Sequence, residues 1–461
     1  MANNISYPYM PSGQSGLLGA LFGKSLIIFI LAAVFSLGLF AWEDFLDEWD
    51  VFLSEAEDSP LVILAKVSVG ITLLALIWRI YLAAAYRPAP PCPDFLLPSC
   101  TVVIPAYNEG FQVLKTIRSV ADSDYPPEKM QIIAVDDGSK DDTWDWMQKA
   151  AAELEGRVEI IQLPRNSGKR RALFEGFEKS TGEILVTIDS DSEVTKDSLR
   201  HLISPFVRET LVGAVAGNVK VLNIDEGIIP KMLDVTFAFS FDFMRAGQSQ
   251  INTVLTTPGA LSAYRGCVVR PLLRGWLEQR FLGRVANIGE DRALTNLVLK
   301  SGHLAHFARG ALVLTQVPVH YSGLCKMFLR WARSNVRETV VMGGFIFKQF
   351  RTVPALGARV NFLLHLFRMM VGEFFKISTF CVILTAPYFM GYNLLLGPAV
   401  GGLLPAAFYL LLHRNTNFLW AFPYSVFWMF ALSWISLYAL LTPHKNSWLT
   451  RGLTKPAPAR S

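Results

Sequence analysis

Cysteine is scarce in this chain of 461 residues, with only five, scattered as Cys92, Cys100, Cys267, Cys325 and Cys381. No CxxC pair occurs, which excludes a disulfide framework and a cysteine zinc site and fits a reducing compartment for the middle of the chain. No internal repeat or long low-complexity tract is present, which excludes a solenoid. The string GxxxxGK[ST] is absent, which excludes a P-loop. Neither sign of charge dominates: 43 Lys and Arg stand against 38 Asp and Glu, a net charge of +5. Beside long apolar runs, a mild positive excess follows from membrane orientation and lipid contact. No nucleic-acid partner is expected, and protein partners stay undefined. The first apolar run, residues 25–42, lacks a small-residue cleavage site; acidic residues from Glu43 to Asp58 follow it. It reads as a retained span.

Apolar residues are abundant, at 52%, with a mean hydropathy of +0.34. They concentrate at the two ends. A second run, residues 67–86, is interrupted only by Arg79. Both runs approach the roughly 20 residues that a span needs. The loop between them has no Lys or Arg, and Arg87 follows the second. Positive residues stay on the cytoplasmic side, so the middle of the chain is expected there and the loop outside. Residues 327–350 mix Arg330, Arg333, Arg337 and Lys348 with Trp331, Val336, Val340, Phe345 and Phe347, the pattern of an interfacial amphipathic helix. Further apolar runs lie near 359–375, 377–396, 398–412 and 419–441, the first broken by Arg368, Glu373 and Lys376. Four crossings put the C-terminus in the cytoplasm and three put it outside; the basic tail favours the cytoplasm. The expected organisation is residues 1–92 with two spans, 93–325 globular, 326–358 interfacial, and 359–461 with further spans and a tail. The localisation expected is the plasma (inner) membrane, with the lipid bilayer as a partner.

After a Pro-rich linker at 87–98 the pattern changes. Residues 101–104, 131–135, 158–162 and 183–188 read as strands. Residues 109–122, 141–154 and 168–180 read as helices between them. This alternation predicts an α/β domain with a mostly parallel sheet. In such sheets ligands bind beyond the carboxyl ends of the strands. Asn108, Asp136-Asp137 and Asp189–Asp191 each follow a strand end, so one shared site is expected.

Several short strings carry chemistry. The Asp-Asp of VDDGS at 135–139 sits where a carboxylate accepts hydrogen bonds from a nucleoside; a surface turn has the same composition. NSGKR at 166–170 opens a helix, and cations with free N–H groups suit a diphosphate. Asp189 and Asp191, one residue apart, present oxygen ligands suited to Mg²⁺ or Mn²⁺ rather than zinc. Glu290-Asp291 offers a proton acceptor for an attacking hydroxyl, and Glu290 raises the pKa of Asp291 if both are partly buried. The same pair also suits the start of any helix. Arg330-Trp331 joins a phosphate partner to a sugar-stacking ring, a pair equally at home at a membrane interface.

In order, the strings IPAYNE, VDDGS, NSGKR, DSDS, TPGALSAYRG, WLEQRFLG, GEDRALTN, RWARSNVRE and WLTR resemble membrane-bound family 2 glycosyltransferases. The chain is most similar to hyaluronan synthases and Nod-factor chitin-oligosaccharide synthases, over about residues 100–340 and the tail near Trp448. The resemblance implies a GT-A (Rossmann-like) fold between transmembrane helices, a UDP-sugar donor, a growing glycan acceptor, and Mg²⁺ or Mn²⁺. It implies Asp137 at the nucleoside, Lys169 and Asp189 at the nucleotide and donor, and Asp191 at the metal. Asp291 would be the base of an inverting displacement. Gly259, Ser262, Arg265 and Trp331 would border the acceptor. Arg330, Trp331, Trp448 and Arg451 would line the donor site and channel mouth. Two positions depart from the family: Met327 stands where the QxxRW signature has Gln, and Ala286 where many hyaluronan synthases have Cys. Both lean toward the chitin-type enzymes or an uncharacterised relative, and GlcNAc is the expected sugar. Transfer of one sugar to a lipid or short oligosaccharide is the alternative, and a non-catalytic scaffold a second.

Overall fold

The structure is a computed structural model that describes residues 23–33, 35–36, 60–385 and 387–445. Trp448, Arg451 and most of the loop after the first apolar run lie outside the described residues. Two apolar helices come first, α1 (Gly23–Ala33) and α2 (Pro60–Ala85). The stretch Val62–Ala85 is, among the described residues, the one unbroken helix long and apolar enough to cross a membrane. The bent pair Thr416–Leu432 and Trp434–Leu441 adds a second if it counts as one span. Leu73, Leu74 and Ile77 of α2 are exposed.

The four expected strands are present as β1 (Cys100–Ala106), β2 (Met130–Asp136), β3 (Val158–Gln162) and β4 (Ile184–Thr187). The helices between them are α3 (Gln112–Ala121), α4 (Thr143–Glu153) and α5 (Lys169–Glu178). Successive side chains of a strand point to opposite faces. Accordingly Val102 and Ile104 of β1 enter one apolar core and Val103 enters another. With both faces covered, β1 and β2 read as nearly continuous apolar runs.

The chain continues through β5 (Ser192–Val194), α6 (Ser198–Arg208), β6 (Val212–Val221), α7 (Ile228–Phe237), α8 (Met244–Gln250) and β7 (Ser262–Arg265). A small hairpin, β8 (Arg280–Phe281) and β9 (Arg284–Val285), precedes α9 (Glu290–Lys300), β10 (Leu304–Thr315) and α10 (Tyr321–Gly343). The main sheet has the order β3-β2-β1-β4-β7-β6-β10-β5. It is mixed, yet six of its eight strands run the same way, in keeping with the mostly parallel expectation. β1 to β4 pair in parallel, as do β6 and β10, while β7 runs against β4 and β6, and β5 against β10. The second half of the string TPGALSAYRG, which the resemblance sets beside the acceptor, is the reversed strand β7. The carboxyl ends of β1, β2, β4, β6 and β10 therefore share one edge.

α10 is amphipathic as expected, but its charged face turns inward: Arg333, Arg337 and Glu338 are buried. The C-terminal apolar runs form α11 (Leu356–Thr385), α12 (Pro387–His413) and the bent segment ending in α13 (Trp434–Leu441). The first two expected runs do not separate near residue 376. α13 packs on α10, joining these helices to the sheet.

Candidate active site

At the carboxyl edge of the sheet, Lys169 is the centre of a buried charge cluster. It opens α5, and its side chain is only 5% exposed. Its ammonium pairs with Asp189 just beyond β4, and with Glu290 Oε1 at 3.0 Å. Burial disfavours the ammonium, but Asp189 and Glu290 outweigh it and push its pKa above the usual lysine range. Gly259 makes the approach possible: a Cβ there would lie 2.5 Å from Lys169 Nζ.

Glu290 and Asp291 form the first turn of α9. Burial works against the Glu290 carboxylate, yet Lys169 and Arg330 hold its pKa down at about 2. Asp291 goes the other way. Burial first, then the charge of Glu290, push it up to about 6. The two adjacent carboxylates, Glu290 buried and Asp291 half-buried, thus differ by environment, as functional sites often do. One backbone bond fixes Asp291, Arg292 N–H donating to Oδ1 at 2.7 Å.

The turn before them depends on Gly289, whose φ is 69°. A Cβ there would fall on Ser334 Oγ and lie 3.1 Å from Arg337 Nη2. Arg337 in turn donates to Ile288 O and through Nε to Glu338 Oε1 at 3.0 Å. Gln279 and Asn296 also donate to Glu338, at 3.1 and 3.0 Å. Arg337 and Glu338 are positioning residues that sequence reading missed. Their signal was spacing, since Arg330, Arg333 and Arg337 recur on one helical face. Gly289→Ala is expected to cost about 1–3 kcal/mol of stability through overpacking. It should also lower kcat by at least about tenfold, because small misplacements of a base are costly. Melting temperature with kcat and KM at 25 °C would check both; an active, equally stable variant would overturn the assignment.

A cavity of about 990 Å³ opens beside this cluster. It is lined by Lys169, Asp189, Asp191, Gly259, Asp291 and Arg330. Trp331 is part of the wall and packs on Phe328 and Phe237 at centroid distances of 5.6 and 6.2 Å. The cavity continues between α11 and α13, reaching Lys376, Ser436 and Leu440.

Not every expected site residue faces this space. Asp137 is buried and accepts the N–H groups of Ser167 and Gly168 at 2.7 and 2.8 Å, so it holds the loop before Lys169. Ser262 is fully buried within the sheet, its hydroxyl 3.0 Å from Thr187 Oγ1. Arg265 is at the opposite end of β7, paired with Ile184. It donates to the carbonyls of Val212, Phe206 and Glu209 at 2.9, 2.9 and 3.2 Å. Ser262 and Arg265 therefore do not line the cavity, whereas Gly259 and Trp331 do. Asp191 lines the cavity and accepts from Ser192 Oγ at 3.0 Å and Thr315 Oγ1 at 3.3 Å. Among the described residues no cluster of three or more metal-ligating side chains occurs. Two carboxylates fit a hard cation whose other ligands are phosphate and water.

The description Glycosyl transferase family 2 matches residues 101–265. The chain is 30% identical over 358 residues to an N-acetylglucosaminyltransferase of Rhizobium meliloti (strain 1021), covering 77% of this chain and 82% of that protein. It is 29% identical over 371 residues to the hyaluronan synthase of Streptococcus pyogenes, covering 76% and 82%. Among solved structures, the mannosyltransferase PcManGT from Pyrobaculum calidifontis, in complex with GDP-Man and Mn2+, gives a TM-score of 0.57 at 19% identity, over 80% of this chain and 97% of that one. That likeness concerns the fold, which is GT-A-like with a curled mixed sheet. Taken with the Rhizobium relative, whose match spans most of both proteins, it leaves a plain assignment: the chain belongs to the family 2 glycosyltransferases.

Proposed function

We propose that the protein is an inverting, processive glycosyltransferase. It extends a β-linked glycan from a UDP-sugar, with UDP-GlcNAc preferred, and moves the product across the plasma (inner) membrane. The observation that carries this reading is the cavity. It runs from the Lys169–Asp189–Glu290 cluster past Asp291 and Trp331 and on between α11 and α13. A cavity that leaves the chemistry through apolar helices suits a product with somewhere to go.

In the reaction, an acceptor hydroxyl attacks the anomeric carbon of the donor sugar. Asp291 takes the hydroxyl proton as the new bond forms and the bond to UDP breaks. One displacement with one carboxylate base inverts the anomeric centre, turning an α-linked donor into a β-linked product. Lys169 and Arg330 face the charge that develops on the departing diphosphate. Asp137 steadies the loop at 165–168 beneath the nucleotide. Asp191, with Asp189, would hold Mg²⁺ or Mn²⁺, which supplies charge neutralisation at the diphosphate. Trp331 offers a ring for the acceptor sugar. Exposed Val340 and Phe347 rest in the cytoplasmic interface of the bilayer. The α/β domain lies in the cytoplasm.

The test is the product. Purified full-length protein in detergent, given UDP-GlcNAc with Mg²⁺ or Mn²⁺, is expected to make a ladder of long chains on a sizing gel. Single additions only would move the reading to non-processive transfer. That alternative has its own motivation in Met327, which occupies the first position of the family's QxxRW signature and lines the cavity.

A further inference from the structure

Four cationic or ionisable side chains in the cavity wall take no part in the reaction as described. They are Arg245 on α8, Arg292 on α9, and His365 and Arg368 on α11. The two on α11 belong to a stripe that continues to Glu373 and Lys376. Spacings of three, five and three residues keep them near one helical face. This stripe explains why polar residues interrupt an apolar run in the sequence: they look into the cavity rather than outward.

The first three are buried, with 8%, 5% and 8% of their surface exposed for Arg245, Arg292 and His365. Each has a nitrogen with no hydrogen-bond partner: Arg245 Nη1, Arg292 Nε and His365 Nε2. Their other bonds are to neutral groups. Arg245 Nε donates to Thr256 O at 3.2 Å, and its guanidinium stacks over Phe241 at 4.1 Å. Arg292 Nη2 donates to Thr339 Oγ1 at 3.0 Å. Arg368 is exposed, and it lines the cavity.

The carboxylates around them are committed elsewhere. Glu338 is held by Arg337, Gln279 and Asn296. Glu373 pairs with Lys376 at 2.6 Å. Glu290 pairs with Lys169 at 3.0 Å. Glu338, and after it Asp291, acts on Arg292, and Asp291 acts on Arg245, in each case without an ion pair. Unpaired guanidinium groups inside a protein are unfavourable by several kcal/mol. Buried polar atoms left without partners in a native fold call for a reason. A ligand that brings its own negative charge supplies one, because the arginine fork matches carboxylate and phosphate oxygens.

We propose that Arg245, Arg292, His365 and Arg368 form a site for an oxyanion carried by the acceptor. That oxyanion is the carboxylate of a uronic acid sugar or the phosphate of a lipid-linked saccharide. The proposal rests on the glycan-transfer reading for the word acceptor, but not for the anion. The site lies in the part of the cavity that continues toward the apolar helices. An acceptor held there by its charge presents its hydroxyl to Asp291 in a fixed register.

Two readouts on the full-length protein separate the anion site from the transfer reading. The first is calorimetric binding, without donor, of methyl glucuronide and of a short alkyl phosphate. Wild type is expected to bind one of them, and Arg368→Gln and His365→Gln to weaken it at least about tenfold, the loss of one charge-assisted bond. Arg368→Lys keeps the charge and should recover part of the binding. The second is the acceptor KM at saturating UDP-sugar for a uronate-terminated disaccharide, its uncharged methyl ester, and an alkyl-diphosphate-linked sugar. Preference for the first assigns the carboxylate, and preference for the third assigns the phosphate. Arg368→Gln should raise KM for the preferred acidic acceptor at least about fivefold more than for the ester. Equal KM for charged and uncharged acceptors in wild type, or failure of both small anions to bind, would overturn the proposal. Anion binding without transfer to any acceptor would leave this site standing and remove the polymerase reading instead.

Discussion

Replacing Asp291 with Asn is expected to lower kcat by about 10²–10⁴-fold, the contribution of a positioned general base. KM for the donor should change little, because Lys169, Asp189 and Arg330 remain. The fold should tolerate the change. Burial and Glu290 push the Asp291 pKa up to about 6, so the native state binds this proton more tightly than the unfolded chain does. Its ionisation therefore opposes folding as pH rises from the ordinary carboxylate range through about 6. A neutral Asn removes that penalty, and at pH 8 the melting temperature should match or exceed that of the wild type. The same shift sets the pH profile. The ionised carboxylate is the active form, so kcat/KM should rise through about pH 6 and level off above it. Initial-rate measurements of UDP release from pH 5 to pH 8 would show this limb. A variant that keeps full activity, or a wild-type profile flat across that window, would sink the assignment of the base.

How much of this was legible in the sequence differs from element to element, for physical reasons. β1 to β4 and the helices between them were readable because apolar runs bounded by Gly, Pro and Asp report local geometry directly. The shared site at their carboxyl ends followed from topology. Residues whose meaning depends on what packs against them were not readable. Arg337 and Glu338 look like the wet face of an interfacial helix until α9 is placed on α10, and Arg333 does until α13 is. Arg265 sits three residues after Ser262, and one short reversed strand carries it from the site edge to the far edge of the sheet. Asp137 reads as a ligand contact, while its carboxylate holds two backbone N–H groups of the Lys169 loop. In each case a local motif identified an important residue, and only the tertiary partner decided its job.

Lys169→Met is expected to abolish donor turnover and to destabilise the fold together. The ammonium is the partner of Asp189 and of Glu290, whose side chain is 6% exposed. Removing one member of a buried pair typically costs about 3–5 kcal/mol, because the other charge stays behind uncompensated. Lys169 heads the groups that keep Glu290 ionised against burial, ahead of Arg330. The Glu290 pKa, depressed to about 2 in the native protein, contributes stability that is present above the unfolded carboxylate pKa and lost as pH falls toward 2. In the Met variant that contribution shrinks. The melting temperature should drop at pH 7, and the drop should narrow at low pH, where Glu290 is protonated. Arginine is a poor replacement, since Gly259 already lies so close that a Cβ there would come within 2.5 Å of Nζ. The informative partner is the double variant Lys169→Met with Glu290→Gln. Removing both charges should recover much of the stability, since the uncompensated carboxylate is gone. It should not recover turnover, because Arg330 is then left alone to face the departing diphosphate. Stability that stays lost in the double variant would mean that Lys169 packs rather than pairs. Turnover that returns would mean that the diphosphate is held elsewhere, and the donor site would have to be moved away from the start of α5.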